Sequence, residues 1–136
     1  MLVSTKGRYA LRVMIDLAEH PNDVFIPLKE IADRQQISEK YLESIISVLS
    51  KSGLVKGVRG KGGGYKLSKP PAEYTAADII SLTDGSLAPV NCLESGENTC
   101  TLRFNCKTLP MWKKLDQTIS TYLHSVTLED LVKGDV

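Results

Sequence analysis

The sequence predicts a mainly α chain: a winged helix-turn-helix domain with a two-stranded β-wing, followed by a long C-terminal dimerisation helix. Three observations carry this expectation. Apolar residues recur at three- and four-residue steps in three successive segments ahead of Gly53. A glycine run, Gly60-Lys-Gly-Gly-Gly64, then lies between two short strand-like stretches. Beyond Pro110 a further segment repeats its apolar residues over several helical turns.

Each element has a local cause. Ser4 or Thr5 caps a first helix whose buried stripe reads Leu11, Met14, Ile15 and Ala18, and Asn22, Asp23 and Pro27 end it. A short second helix turns Leu28, Ile31 and Ala32 inward. Ser38 caps a third, with Leu42, Ile45, Ile46 and Leu49 inward, and Gly53 stands where a helix C-terminal glycine belongs. Leu54 to Arg59 and Tyr65 to Leu67 are strand candidates, joined by glycines that accept positive φ and stopped by Pro70 and Pro71. Thr75 with Asp78, and Thr127 with Asp130, have capping-box spacing and open two small helices. Between them lies a polar, cysteine-bearing loop over 89–109. The chain divides accordingly into a DNA-binding head, 1–71, and a dimerisation and sensor region, 72–136.

Composition narrows the classes. At 136 residues the chain buries about two-thirds of its unfolded surface and needs no disulfide staples. No apolar run approaches the ~20 residues of a membrane span, and Lys6, Arg8 and Arg12 interrupt any signal-like start. With three cysteines and no export signal, a cytoplasmic location without membrane attachment is expected. An enzyme is not expected: neither His20 nor His124 is near the cysteines in sequence, and no paired carboxylates or phosphate loop appear.

The net charge of +1 is unevenly shared. Residues 1–71 carry 12 basic against 7 acidic groups, and residues 72–136 carry 5 against 9. Between Glu43 and Glu73 lie Lys51, Lys56, Arg59, Lys61, Lys66 and Lys69 with no acid among them. One-signed charge inside a folded segment fits a polyanion such as double-stranded DNA. If Leu42, Ile45, Ile46 and Leu49 face inward, the opposite face of the third helix offers Lys40, Glu43, Ser44 and Ser47 to base edges. Tyr41 falls at the boundary. Arg59 and Lys61 flank Gly60 at a slim tip suited to a minor groove. Trp112, Leu115, Ile119, Tyr122, Leu123 and Val126 form a stripe that a partner helix would cover, giving a homodimer.

Cys92, Cys100 and Cys106 share the polar loop in a C-x7-C-x5-C arrangement. Three thiols among Asn91, Glu94, Ser95, Gly96, Glu97, Asn98 and Thr99 are poor core material. An iron–sulfur cluster, a zinc site or thiol-disulfide switch, and inert cysteines are the competing readings.

The runs STKGRYA (Ser4 to Ala10), SEKYLE (Ser38 to Glu43), GLV from Gly53 and RGKGGGY (Arg59 to Tyr65) resemble the Rrf2 family of bacterial transcription regulators. The likeness extends through Thr75 to Gly85 and TLEDL from Thr127. It implies a homodimer on a near-palindromic duplex, with recognition-helix contacts at Ser38, Lys40, Tyr41 and Glu43 and wing contacts at Arg59, Gly60 and Lys61. Within the family the chain resembles two groups. One holds a 2Fe–2S cluster on three loop cysteines, which match Cys92, Cys100 and Cys106, and controls iron–sulfur assembly genes. Its fourth ligand is a histidine where this chain has Leu109, or a carboxylate from the partner's first helix where this chain has Arg8. Glu94, Glu97, Asn105 or solvent are the remaining candidates. The other group works without a cluster as a repressor of cysteine metabolism and responds through a cysteine-biosynthetic enzyme.

Overall fold

A computed structural model describes residues 3–136. Its elements run α1 (Thr5–Ala18), α2 (Leu28–Gln35), α3 (Glu39–Lys51), β1 (Val55–Val58), β2 (Gly64–Leu67), α4 (Ala76–Asp84), α5 (Leu109–Ser125) and α6 (Leu128–Lys133). Short 3-10 turns at Pro71–Glu73 and Asn91–Leu93 complete them. This is a winged helix-turn-helix followed by a long helix, as the sequence predicts.

The caps act as their residue types dictate. The Ser4 hydroxyl accepts from Gly7 N–H and that of Ser38 from Tyr41 N–H. Reciprocal capping boxes join Thr75 to Asp78 and Thr127 to Asp130. Gly53, at φ +78°, follows α3 in the left-handed conformation.

Four of the α3 residues expected inside, Leu42, Ile45, Ile46 and Leu49, are buried. The α1 stripe is turned from the expected one. Ala10, Val13, Met14 and Leu17 are its deepest apolar residues, while Leu11, Ile15 and Ala18 are only half-buried against the core. The reason is that α1 is wrapped by α2, α3, α4 and α6 together, so its face of contact is broad and its centre is set by its neighbours.

The wing pairs β1 with β2 antiparallel, Val55 opposite Leu67 and Val58 opposite Gly64. Ile26 adds a one-residue third strand on the outer edge of β2. Tyr74 ties the wing's base to the helices: its buried hydroxyl donates to Leu54 C=O at 2.7 Å and accepts from Ser68 and Lys69 N–H, both at 3.0 Å.

The chain returns to this core at its end. Ala76 N–H donates to Val126 C=O and Leu128 N–H to Tyr74 C=O, which sets the start of α6 beside the start of α4. Val126 and Leu128 are buried there. By contrast α5 buries none of its own residues: Trp112, Ile119 and Leu123 are half-buried, and Met111, Leu115 and Tyr122 are exposed. Among the described residues no helix is long and apolar enough to cross a membrane.

Candidate nucleic-acid interface

Burial of one face of α3 decides what its other face presents. Lys40, Glu43, Ser44 and Ser47 are exposed, as are Ser38 at the cap and Tyr41 in the first turn. The Ser38 oxygen accepts from Tyr41 N–H at 3.2 Å, so its own hydroxyl hydrogen is left to point outward. Ser44 donates to Tyr41 C=O at 2.7 Å. The Tyr41 ring meets the Tyr9 ring of α1 edge to face, with centroids 5.8 Å apart. A groove lined by Glu43, Ser47, Lys51 and Tyr65 connects this face with the wing.

At the wing's tip Arg59, Gly60 and Lys61 are all exposed, and Gly63 N–H donates to Gly60 C=O at 2.9 Å to close the turn. Two wing lysines are steadied by rings: Lys66 lies 4.8 Å from the Phe25 centroid and Lys69 4.9 Å from that of Tyr74. The structure therefore puts the exposed polar face of α3 beside a basic strand pair, across the groove that Glu43, Ser47, Lys51 and Tyr65 line.

The three cysteines are free thiols on the connection before α5. Cys92 is half-buried in its 3-10 turn, and Cys100 is exposed with its N–H bonded to Asn98 Oδ1 at 3.0 Å. Cys106 Sγ lies 3.3 Å from Thr108 Oγ1, and that hydroxyl, with neighbouring backbone N–H groups, holds the thiol below its ordinary pKa. Three thiolates are the right donor type for a soft metal. Their placement is not: among the described residues no group of three His, Cys, Asp or Glu side chains is gathered as a metal site. Leu109 is a half-buried aliphatic residue opening α5, and Arg8 is turned to Val3 C=O and the Thr5 hydroxyl. His20 is held by Asp16 C=O and His124 by Ser120 C=O, each at 2.7 Å. As the loop stands, these residues do not fit a cluster.

Sequence reading missed two features around the reading head. Asp16, only 3% exposed, takes both arms of the Arg34 guanidinium at 2.8 and 3.0 Å and an N–H of Gln35 at 2.9 Å. Tyr9 supports Tyr41 from another helix. Nothing local marks either: Asp16 is explained only by Arg34, which lies 18 residues away in the sequence, and Tyr9 only by Tyr41.

Comparison with known proteins agrees with this geometry. Residues 3–134 match the Rrf2 family model, described as an iron-dependent transcriptional regulator. The HTH-type transcriptional regulator IscR of Xenorhabdus nematophila is 41% identical over 134 residues, covering 98% of this chain and 80% of that protein. Among solved structures, CymR (YrzC), the global cysteine regulator of B. subtilis, superposes with a TM-score of 0.82 at 38% identity, covering 98% of this chain and 97% of that one. T. potens IscR gives 0.76 at 39% identity, covering 100% and 89%. On the strength of the family match over nearly its whole length, the chain belongs to the Rrf2 family of transcriptional regulators.

Proposed function

We propose that this regulator acts in the cytoplasm as a homodimer that sets two α3 helices and two wings on a near-palindromic promoter. The observation that carries the proposal is the pairing of an exposed, polar α3 face with an acid-free basic wing on one groove. Ser38, Lys40, Tyr41 and Glu43 address the major groove, and Arg59, Gly60 and Lys61 the minor groove. The second protomer follows from α5: a helix with no buried residue and with Met111, Leu115 and Tyr122 outward is only half packed. Duplex binding is tested by salt. With six or more phosphate contacts, affinity drops about a thousandfold between roughly 50 and 200 mM salt. A salt-independent or absent interaction sinks the reading.

The cysteine loop is the sensory input. The IscR-named relatives support a finer version, in which Cys92, Cys100 and Cys106 supply thiolates to an iron–sulfur cluster of the 2Fe–2S type and the targets are cluster-assembly genes. When bound, a cluster would supply a state dependent on iron and oxidant. Two observations favour a second reading, a cluster-free repressor of cysteine metabolism that responds through thiol redox or a partner enzyme. The thiols are not gathered, and the cysteine regulator CymR superposes well. Anaerobic purification separates the two. Visible charge-transfer bands with matched iron and sulfide support the cluster, whereas a colourless, metal-free protein supports the second reading.

A further inference from the structure

The turn between α2 and α3 lacks the residue its geometry favours. Gln36 sits there at φ +54°, a left-handed conformation usually left to glycine or asparagine. It is preceded by Gln35, the last residue of α2, whose carbonyl no longer has a partner within its own helix. That carbonyl receives Arg12 Nη2 from α1. Arg12 Nε donates at 3.1 Å to the side-chain oxygen of the same Gln35, so one guanidinium grips both ends of one residue. The amide nitrogen of Gln35 is anchored in turn on buried Asp16, at 2.9 Å.

The other side of Arg12 is engaged too. Its guanidinium carbon lies 5.0 Å from the centroid of Tyr9, and Tyr9 is the ring against which Tyr41 of α3 rests. Arg12 thus touches the residue that closes α2 and, through Tyr9, the first turn of α3. Only residues 36–38 intervene, with Gln36 alone in the left-handed conformation, so these two attachments set the angle at which α3 leaves the turn.

We propose that Arg12 is a positioning residue for sequence reading: it reaches no base, but through Gln35 and the Tyr9–Tyr41 pair it fixes the pose of the recognition helix. This rests on the DNA-binding reading above. A phosphate-neutralising arginine would act through charge alone, and a lysine would serve nearly as well. A two-armed grip needs the planar fork, which lysine lacks.

The test uses the full chain and two duplexes, one enriched from a random pool by the wild-type protein and one scrambled. Arg12→Ala and Arg12→Lys are titrated against both over a range of salt, with thermal melting as a check of folding. Both variants are expected to lose about tenfold in affinity for the enriched duplex. Affinity for the scrambled duplex and the salt slope are expected to stay as in the wild type. Full discrimination by Arg12→Lys overturns the proposal, because charge then suffices. So does an equal loss on both duplexes with a slope smaller by about one, the mark of a phosphate contact. Tyr9→Phe, which keeps the ring, is expected to discriminate normally, and Tyr9→Ala to behave like Arg12→Ala. If the wild type itself shows no salt-dependent duplex binding, the DNA reading fails and this inference with it. Normal discrimination by Arg12→Ala against a binding wild type overturns this inference alone.

Discussion

Tyr65 and Ile26 exchange both of their backbone hydrogen bonds, each at 2.8 Å, and so pin the wing to the segment between α1 and α2. The close approach depends on Gly64. A Cβ there would stand 2.3 Å from the carbonyl carbon and oxygen of Ile26, at a φ of +150° that side chains avoid. Gly64→Ala is expected to cost about 2–4 kcal/mol of stability. Urea unfolding checks this, and a loss below about half a kcal/mol would show the contact to be slack.

Tyr74→Phe removes one oxygen and strands three backbone groups, Leu54 C=O and the N–H groups of Ser68 and Lys69. The ring stays, so the change isolates the hydroxyl. A loss of about 1–3 kcal/mol is expected, read as a lower urea midpoint at unchanged slope.

Acid weakens the fold through Asp16 and Asp84. Burial pushes the Asp16 carboxyl up, but hydrogen bonds from Arg34 and Gln35 and the guanidinium charge bring it below its ordinary 3.8. For Asp84 burial is likewise outweighed, here by Ser4 and Thr83. A carboxyl lower in the folded than in the unfolded state lends stability that is complete above the unfolded value and disappears as pH falls through the folded one. Stability should therefore hold down to about pH 4 and drop below it. Asp16→Asn should cost about 1–3 kcal/mol near neutrality, with the gap to wild type narrowing at pH 3. A pH-independent gap would count against the pairing.

On α5, Leu115→Asp and Tyr122→Asp place charge on a face that is 40% and 56% exposed at these positions. Each is expected to leave monomers in light scattering. Duplex affinity should fall about a hundredfold, because two linked heads gain from effective concentration. Dimers that persist in both variants would move the interface elsewhere.

Lys40→Ala is expected to change which base is preferred at one position of an enriched duplex, at a cost of about 1–3 kcal/mol. Arg59→Ala should instead weaken enriched and scrambled duplexes alike and lower the salt slope by about one. Binding selection with each variant distinguishes them, and identical behaviour would argue against separate duties for α3 and wing.

Much of the fold was legible because its causes are local. The α3 stripe from Leu42 to Leu49 is a matter of spacing, and hydroxyl and carboxylate three apart suffice for the boxes at Thr75 and Thr127. The exposure of Lys40 and Glu43 followed from burial of the opposite face. What was not legible depends on distant partners. Ile26 is a strand one residue long, recognisable only once Tyr65 lies beside it. The α1 register is set by four other helices, and Asp16 makes sense inside the protein only with Arg34. Spacing put three thiols in one loop but carries no information on whether they converge.

The last helix has a consequence for how the molecule comes apart. Leu128 is as deeply enclosed as Leu42, and both belong to the cluster that contains Tyr74 and Ile79. A protease that clips off the tail after Ser125 removes a wall of the head itself, not an appendage. Nicking there should loosen duplex reading and self-association in a single cooperative melt, and neither property should outlive the other on heating.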